Sequence, residues 1–345
     1  MLFIISPAKK MVDASDAFAW RDLPRFLPQA RELLGALRGM SYGELKELWA
    51  CSDALAELNH ARVQRMDLGE SMENGASRMG GNADDVKPLE ARAETEGAAR
   101  NVLPGWQRFL TPAVFSYEGI QYQNMAPQVM SADQLEYLQA HLRILSGFYG
   151  VLRPFDGVTP YRLEMQAKLA MPCGASGAPS RNLYEFWGSR IYDALCEELA
   201  APNRTNAAGG SCVLPSAEEG KLSADLFGTD SADSLASDER HAEPREKGDY
   251  AIVNLASVEY AKAVEPYAKA AAKQDGPRYV TCLFGGMKNG KFTQRSTEAK
   301  AARGTFVRWC AENAIEHVSD FPHFDVGGYQ FDEGLSSGNT YIFVH

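Results

Sequence analysis

The sequence lacks the residue spacings that most metal and redox sites need. Its six cysteines are far apart and form no CxxC pair, and its six histidines form no HxH or HExxH motif. These absences argue against a zinc ribbon, an iron–sulfur site or a thioredoxin-type motif. Only His317 and His323, with Asp325 nearby, bring histidines and acids together. We expect a solvated loop there and no metal site, with direct iron binding as the weaker alternative.

Common catalytic and nucleotide-binding fingerprints are also absent. The chain contains no GxxxxGK[ST] loop, no GxGxxG after a strand, no GxSxG elbow, no kinase motif set and no internal repeat. Each of these motifs has a mechanical reason for its spacing, so their absence removes support for the corresponding enzymes. We predict no cofactor.

Long hydrophobic runs are missing. The first apolar run, residues 2–5, is far too short to span a bilayer, and lysines follow it instead of preceding it. We therefore expect no membrane partner, no signal peptide and a cytoplasmic location. With 345 residues, 45% of them hydrophobic and 23% charged, the chain can bury a large core.

Net positive charge is lacking as well. The formal charge of −10 argues against nonspecific coating of nucleic acid, because phosphate contacts need local positive charge. Residues 203–247 are rich in Ser, Ala, Asp, Glu and Gly, and their nine acids and five bases give a balance of −4. We predict a flexible acidic insertion there. Any basic binding site must then be a local cleft in the remaining, still acidic, chain.

The most informative stretch that is present is residues 141–165, which hold three glycines, three arginines and two prolines along and after an apolar run. Upstream, Ser131 and Gln134 form a capping box that predicts the start of a helix. Leucines then recur at helical spacing, which predicts one buried helix face. Gly147 and Gly150 are predicted to end this helix in a turn or to let the backbone approach a ligand.

Three interpretations of this stretch remain open. The first is a helix with a glycine cap and ordinary surface arginines. The second is an anion-binding loop, in which Arg143 or Arg153 adds donors to the glycine amides. The third is a helix-hairpin-helix that presents amides to a nucleic-acid backbone, although Pro154 and Pro160 leave little room for a regular second helix.

Elsewhere the pattern predicts an α/β or α+β protein with a polar cleft. Ser41 and Glu44 form another capping box, and the Asn-Gly pair at 289–290 predicts a hairpin. Polar residues follow two predicted strands, at residues 6–10 and 254–257, where open sheets usually bind ligands. Further elements are predicted as strands at 2–5, 250–255, 279–284, 291–294 and 341–344, a strand-turn element at 113–125, and helices at 182–199 and from 297.

Eight blocks, in this order along the chain, resemble the YaaA family of peroxide stress resistance proteins. They are LFIISPAKKM, SYEGIQYQNM, LRILSGFYGVLRPFDGVTPYRLEM, NLYEFWG, VNLASVEY, KNGKF, KAARG and GYQFDE. The chain departs from the usual pattern in the insertion at 203–247, in extra length around 68–100, and in Lys10, where some members have threonine. These departures affect surface contacts more than the core.

The resemblance implies one compact domain over residues 1–345, with a central mixed sheet, surrounding helices and a helix-hairpin-helix-like element at 142–153. It also implies a basic cleft that binds duplex or distorted DNA, and a role in limiting free iron and oxidative DNA damage. Carried over to this sequence, the phosphate-binding candidates are Lys9, Arg143, Arg153, Arg162, Lys300 and Arg303. Base or sugar contacts would fall to Tyr117, Tyr122 and Tyr161, and polar recognition to Asn254 and Ser257, with Gly147 and Gly150 in the turn.

Two functional hypotheses follow. One is a DNA-binding stress protein without obligatory catalysis. The other is an enzyme that acts on a nucleobase or nucleoside, for example on an N-glycosidic bond, with Glu118 or Glu164 in acid–base chemistry. The sequence leaves the oligomeric state open.

Overall fold

The computed structural model describes residues 1–69, 105–201, 249–272 and 274–345. The predicted insertion at 203–247 and most of the polar stretch at 68–101 lie outside these residues. The helices are α1 (Leu27–Arg38), α2 (Tyr42–Trp49), α3 (Asp53–Arg65), α4 (Ala113–Ser116), α5 (Ile120–Met125), α6 (Ala132–His141), α7 (Leu183–Trp187), α8 (Arg190–Ala200), α9 (Val258–Ala261), α10 (Glu265–Ala271) and α11 (Ser296–Glu312). The strands are β1 (Leu2–Ile5), β2 (Lys10–Met11), β3 (Thr111–Pro112), β4 (Tyr117–Glu118), β5 (Leu142–Ser146), β6 (Gly150–Leu152), β7 (Gly157–Val158), β8 (Ala251–Asn254), β9 (Arg278–Lys288), β10 (Lys291–Thr293), β11 (Gln330–Phe331) and β12 (Thr340–Val344).

The predicted mixed α/β fold is confirmed. Among the described residues, eight strands form one sheet in the order β11-β12-β9-β8-β1-β5-β6, with β10 paired to β9. The five central strands, from β12 to β5, are parallel, whereas β6, β10 and β11 pair antiparallel at the margins. Strand β1 therefore lies in the middle of the sheet, between β5 and β8.

The core forms around these central strands. Every residue of β1, β5 and β8 is buried, as expected for parallel strands covered on both faces. An aromatic cluster joins the sheet to α11: the ring of Phe306 lies 6.4 Å from Phe3, 5.5 Å from Phe284 and 5.6 Å from Phe343. None of the described helices is long and apolar enough to cross a membrane.

Local signals in the sequence predicted several boundaries correctly. Both capping boxes are present: Ser41 accepts from the backbone N–H of Glu44, and Ser131 accepts from that of Gln134. The hairpin between β9 and β10 is also confirmed. Its turn residues Asn289 and Gly290 have φ of 52° and 73°, the left-handed values that a tight hairpin turn requires.

The stretch after α6 is a correction. The helix ends at His141. The chain continues as β5, a short turn and the antiparallel strand β6, so residues 142–153 form no helix-hairpin-helix. The apolar run at 142–146 fits a buried strand as well as a helix, and periodicity alone does not separate the two. Pairing with β1, where Leu142 lies opposite Phe3, decides for the strand.

Two other predicted elements differ in detail. Residues 113–125, expected as a strand and turn, form α4, the two-residue strand β4 and α5. The single helix expected at 182–199 is divided into α7 and α8, because Gly188 adopts a φ of 50° between them. Asn182 is the N-cap of α7, as its position predicted, and accepts from the backbone N–H of Glu185.

Candidate functional site

The strand order places a crevice beside β1. The chain steps from β1 to β5 on one side, then crosses to β8 on the other side and continues through β9 to β12. In open α/β sheets, ligands bind outside the carboxyl ends of the strands at the point where the strand order reverses. That point lies between the ends of β1 and β8. We call this region the carboxyl-edge cleft and define it by Ser6, Lys9, Arg162, Glu164 and Ser257.

The two strand ends are joined directly by serines. The backbone N–H of Ser257 donates to Oγ of Ser6 at 2.8 Å, and the two hydroxyl oxygens are 3.2 Å apart. Asn254 is buried and serves the local turn: its Oδ1 accepts from the N–H of Ala256 at 3.0 Å. Of the two predicted polar residues, the structure therefore leaves Ser257 in the cleft and uses Asn254 to hold the turn.

A charged triad lies next to the serines. Oε1 of Glu164 is 3.0 Å from Nζ of Lys9 and 3.1 Å from Nη2 of Arg162. The side chain of Lys9 is 68% exposed, whereas that of Arg162 is 9% exposed. Nε of Arg162 is buried and has no hydrogen-bond partner among the described residues. Glu164 thus satisfies one edge of the guanidinium and leaves another donor unmatched.

Gly147 makes room for this triad. A Cβ at Gly147 would lie 2.5 Å from the carbonyl oxygen of Leu163 and 3.1 Å from the nitrogen of Met165, so only glycine lets the segment carrying Glu164 cross the end of β5. Gly150 has a φ of 72°, and a Cβ there would lie 2.9 Å from the ring of Trp187. Close packing within the protein therefore accounts for both glycines.

The three predicted tyrosines converge, but below the surface. Tyr117, Tyr122 and Tyr161 are 2%, 3% and 7% exposed, and the ring of Tyr117 lies 5.5 Å from that of Tyr122 and 6.4 Å from that of Tyr161. Their rings contact one another and are covered, so in this arrangement they offer no face for stacking on a base. Burial raises the pKa of Tyr161 to about 12 and raises those of Tyr117 and Tyr122 well above the usual value, so all three hydroxyls stay protonated at neutral pH.

These hydroxyls are bonded to one another and to the cleft. Tyr117 Oη lies 2.8 Å from Tyr161 Oη, which lies 2.6 Å from Oγ of Ser146 at the end of β5. Tyr122 donates to the carbonyl oxygen of Ser6 at 3.1 Å. The hydroxyl network therefore forms the floor of the carboxyl-edge cleft.

Helix α11 packs against α5, and the residue before α5 contacts the segment that follows β1. Gly304 packs so closely on α5 that a Cβ would lie 2.0 Å from the carbonyl oxygen of Gln121, and Gly119, just before α5, lies 3.1 Å from Ala8 by the same measure. These contacts place the neighbours of Ala8 and Gly304, Lys9 and Arg303, on either side of one short helix.

The donors on this side have no acceptors within the described part of the chain. Nε of Arg303 and Nε2 of Gln121 are buried without a hydrogen-bond partner there. Lys300, one turn before Gly304, is exposed, and no acid among the described residues pairs with it. Burial lowers the pKa of Arg303, and no neighbouring carboxylate offsets that effect. Lys300 and Arg303 thus lie on α11, which packs through Gly304 on α5, whereas Lys9 and Arg162 meet at Glu164.

Arg143 and Arg153 lie elsewhere. Nη2 of Arg143 is 2.5 Å from Glu198 Oε2 on α8, and its side chain is only 6% exposed. Nε of Arg153 lies 3.7 Å from the same oxygen, beside a cavity of about 300 Å³ that Asp22 and Asp156 also line. The structure therefore separates Arg143 and Arg153, which lie at Glu198, from Lys9 and Arg162, which lie at Glu164, and Glu198 neutralises Arg143.

The acid–histidine cluster at the C-terminal end does not form a metal site. Nδ1 of His317 lies 3.4 Å from Oδ1 of Asp249, whereas Nδ1 of His323 lies 3.1 Å from the backbone oxygen of Asp320. Within the described residues, no three His, Cys, Asp or Glu side chains are arranged to hold a metal ion. His317 and His323 thus contact different groups, and direct iron binding through them and Asp325 stays an untested alternative.

Sequence reasoning missed several residues of the site. Ser146 was hidden inside a predicted helix, and Gln121 inside a predicted strand-turn element. Glu259 follows Ser257 and accepts from the N–H of Gln166 at 3.3 Å; burial is the main reason that its pKa is raised. Glu118 lies 2.8 Å from Lys10 on the neighbouring strand and is outside the triad. No motif marks Ser146 or Gln121, since their roles depend on contacts between distant segments.

Comparisons with known proteins identify the family of the chain. The pattern of the family described as "Peroxide stress protein YaaA" matches residues 1–210 and 210–335. A UPF0246 protein of Lachnoclostridium phytofermentans is 36% identical over 344 residues, covering 100% of this chain and 96% of the relative. UPF0246 proteins of Limosilactobacillus reuteri (36%, covering 99% and 98%) and Lactiplantibacillus plantarum (35%, covering 100% and 99%) are similar along their whole lengths. The matches extend through both strand ends that form the cleft, and the chain belongs to the YaaA family of peroxide stress proteins.

Proposed function

We propose that this member of the peroxide stress family acts in the cytoplasm by binding DNA across the carboxyl-edge cleft, and so helps to limit iron-dependent oxidative damage to DNA. The observation that carries the proposal is the pair of guanidiniums, Arg162 and Arg303, whose buried Nε atoms have no acceptor among the described residues. Lys9 and the exposed Lys300 extend the same positive surface.

The physical argument is one of charge compensation. Arg162 is already paired with Glu164 and lacks an acceptor only at Nε, whereas Arg303 has no carboxylate partner among the described residues. A buried charge without a partner is strongly destabilising, and a guanidinium matches the geometry of phosphate oxygens. Hydrogen bonds between such ionised groups are about twice as strong as neutral ones. Because the whole chain carries a charge of −10, this local set must supply the attraction that DNA phosphates need.

The proposal is tested by the salt dependence of DNA affinity. We expect the affinity for a duplex to fall linearly with the logarithm of salt concentration, with a slope that decreases by about 0.9 for each phosphate contact removed. Lys300→Gln and Arg303→Gln should each weaken binding and reduce this slope. Lys269→Gln, which removes an exposed charge from α10, is the matched control. Salt-independent binding, or unchanged slopes in both cleft variants, would refute the proposal.

We propose that the protein protects DNA by binding the DNA and not by binding iron, since no group of three metal-ligating side chains is present among the described residues. We expect DNA bound by the protein to be cleaved more slowly by iron and peroxide than free DNA. The Lys300→Gln/Arg303→Gln double variant should lose this protection at the same protein concentration. If the double variant protects DNA as well as the wild type does, the protection does not depend on DNA binding by Lys300 and Arg303.

A second candidate function is an enzyme acting on a nucleobase or nucleoside. The observation in its favour is the pair of carboxylates in different settings: Glu164 is paired with Lys9 and Arg162, whereas burial raises the pKa of Glu259. A carboxyl group with a raised pKa can act as a general acid while its neighbour stays ionised. Release of free base from damaged DNA or from nucleosides, lost in Glu259→Gln, would establish this function.

A further inference from the structure

Three buried hydroxyls form a chain beneath the cleft. Oη of Tyr117 lies 2.8 Å from Oη of Tyr161, and Oη of Tyr161 lies 2.6 Å from Oγ of Ser146. Oγ of Ser146 also accepts from the backbone N–H groups of Phe148 at 3.1 Å and Tyr149 at 2.8 Å. The amides of the β5–β6 turn thus fix one end of the chain.

Counting protons gives the chain a direction. A serine hydroxyl has two acceptor positions and one proton, and the two amides take both acceptor positions of Ser146. Its proton must therefore point to Tyr161. The two contacts use two of the three hydroxyl protons. A chain that donates in one direction throughout, from Ser146 to Tyr161 to Tyr117, leaves the remaining proton on Tyr117, with no acceptor for it among the described residues. A buried donor left unmatched costs free energy. A ligand that brings an acceptor to this hydroxyl would therefore be bound favourably.

The serine pair at the strand ends has the same imbalance. Oγ of Ser6 accepts the N–H of Ser257, and the contact between their hydroxyls uses one of two protons. The other proton has no acceptor among the described residues. Tyr122 joins the two systems, because its ring lies 5.5 Å from that of Tyr117 and its hydroxyl donates to the carbonyl oxygen of Ser6.

The cleft therefore holds several donors that no acceptor among the described residues matches. Unmatched protons lie on the tyrosine chain, on the serine pair and on Nε of Arg162. The nearby carboxylate, Glu164, already accepts from Lys9 and Arg162 through one oxygen. A complementary ligand must bring several oxygens that accept and do not donate.

We propose that the floor of the carboxyl-edge cleft binds a phosphate monoester, whose oxygens accept from the tyrosine chain, the Ser6–Ser257 pair and Arg162. A monoester presents three free oxygens at the end of a chain and can enter a recess. A phosphate inside a DNA strand has only two free oxygens and a chain on both sides, which keeps it at the rim with Lys300. The inference rests on the proposed function in that both use one cleft, and it adds a terminal phosphate, at a DNA strand end or on a free mononucleotide, as the group recognised there.

Calorimetric titration of the full-length protein tests the ligand class. The probes are inorganic phosphate, 2′-deoxyadenosine 5′-monophosphate and 2′-deoxyadenosine. We expect the first two to bind and the nucleoside to fail. Tyr117→Phe should weaken phosphate binding by about tenfold or more, because a hydrogen bond to a charged group is lost. Tyr279→Phe is the matched control, since its hydroxyl is also buried but has no partner among the described residues and lies at the amino end of β9.

A second arm distinguishes a strand end from a free nucleotide. Affinities are compared for a nicked duplex carrying either a 5′-phosphate or a 5′-hydroxyl at the nick, at one salt concentration. A preference of about tenfold for the phosphate, abolished by Tyr117→Phe with the salt slope unchanged, assigns the site to strand ends. Monophosphate binding without this preference assigns it to free mononucleotides.

Two results overturn the inference. One is absence of binding by both phosphate and the monophosphate; if salt-dependent duplex binding persists, the proposed function stands alone. The other is phosphate binding that Tyr117→Phe leaves unchanged, which removes the hydroxyl chain from the site. Loss of salt-dependent duplex binding together with intact monophosphate binding would refute the DNA proposal and retain this one.

Discussion

At the scale of single residues, Asp156 is the most perturbed acid outside the cleft. It is 3% exposed, and its Oδ2 accepts from the backbone N–H of Arg153 at 2.8 Å. Burial is the main cause that raises the pKa of Asp156 to about 7; Asp22 adds to this effect, whereas Arg153 and Arg143 oppose it. The folded protein therefore binds this proton more tightly than the unfolded chain does.

That difference predicts how stability changes with pH. Because the pKa of Asp156 is higher in the folded state, its contribution to the free energy of unfolding is largest below about pH 4 and falls as the pH rises to about 7. A shift of about three units corresponds to about 4 kcal/mol at most. Asp156→Asn should flatten the decline measured by urea unfolding between about pH 4 and about pH 8, while keeping an oxygen for the N–H of Arg153.

Asp22→Asn is the control for this measurement, since Asp22 borders the same cavity with a side chain that is 59% exposed. Its pH profile should stay close to that of the wild type. A decline of the same size in Asp156→Asn and in the wild type would show that Asp156 ionises at its ordinary pKa in the folded protein.

At the scale of elements, the sequence predicted those features whose causes are local. Capping boxes at Ser41 and Ser131 and the turn at Asn289 depend on residues within four positions, and all three are confirmed. Strand β5 was predicted as part of a helix, because the spacing of its apolar residues fits a helix as well as a buried strand. Only its pairing with β1, a contact between distant segments, shows that it is a strand. Lys9 and Ser257 follow from polar residues near strand ends, and Arg162 follows from the family resemblance. Ser146 was not predicted, because the strand that positions it was not recognised.

The contact between β5 and α8 gives a prediction at this scale. Arg143 and Glu198 are 6% and 11% exposed and form a buried ion pair. Removing one partner of such a pair costs about 3–5 kcal/mol, whereas replacing both by apolar residues is often nearly neutral. We expect Glu198→Leu to lower the free energy of unfolding in urea by about that amount, and Arg143→Leu/Glu198→Leu to recover most of it.

The same variants decide whether Arg143 serves DNA. Because Glu198 already neutralises it, the double variant should bind a duplex with the affinity and salt slope of the wild type, in contrast to Arg303→Gln. A slope that falls by about 0.9 in the double variant would instead make Arg143 a phosphate contact.

At the scale of the whole molecule, two observations favour different binding sites. The strand order favours the carboxyl ends of the central strands, whereas cavity size favours the amino end of β9. A cavity of about 490 Å³ among the described residues lies at the amino end of β9 and is lined by Lys269, Arg278, Tyr279 and Asn339. Its charges are matched internally: Lys269 pairs with Glu265, and Arg278 donates to Asn339 and to the carbonyl oxygen of Gly338. The carboxyl-edge cleft has unmatched donors at the crossover of the sheet, so we place the binding site there.

Hydrogen–deuterium exchange separates the two ends of the sheet. On adding a short duplex or the monophosphate at saturating concentration, we expect slower exchange in residues 6–10, 159–166 and 254–259, which surround the carboxyl-edge cleft. Residues 276–281 and 338–340, at the opposite end of the parallel strands, should exchange at their original rates. Because bound ligand protects amides it covers or rigidifies, the location of protection identifies the site without any substitution. Protection confined to residues 276–281 and 338–340 would place the binding site at the amino-end cavity. It would also show that the unmatched donors of the carboxyl-edge cleft do not determine where the ligand binds.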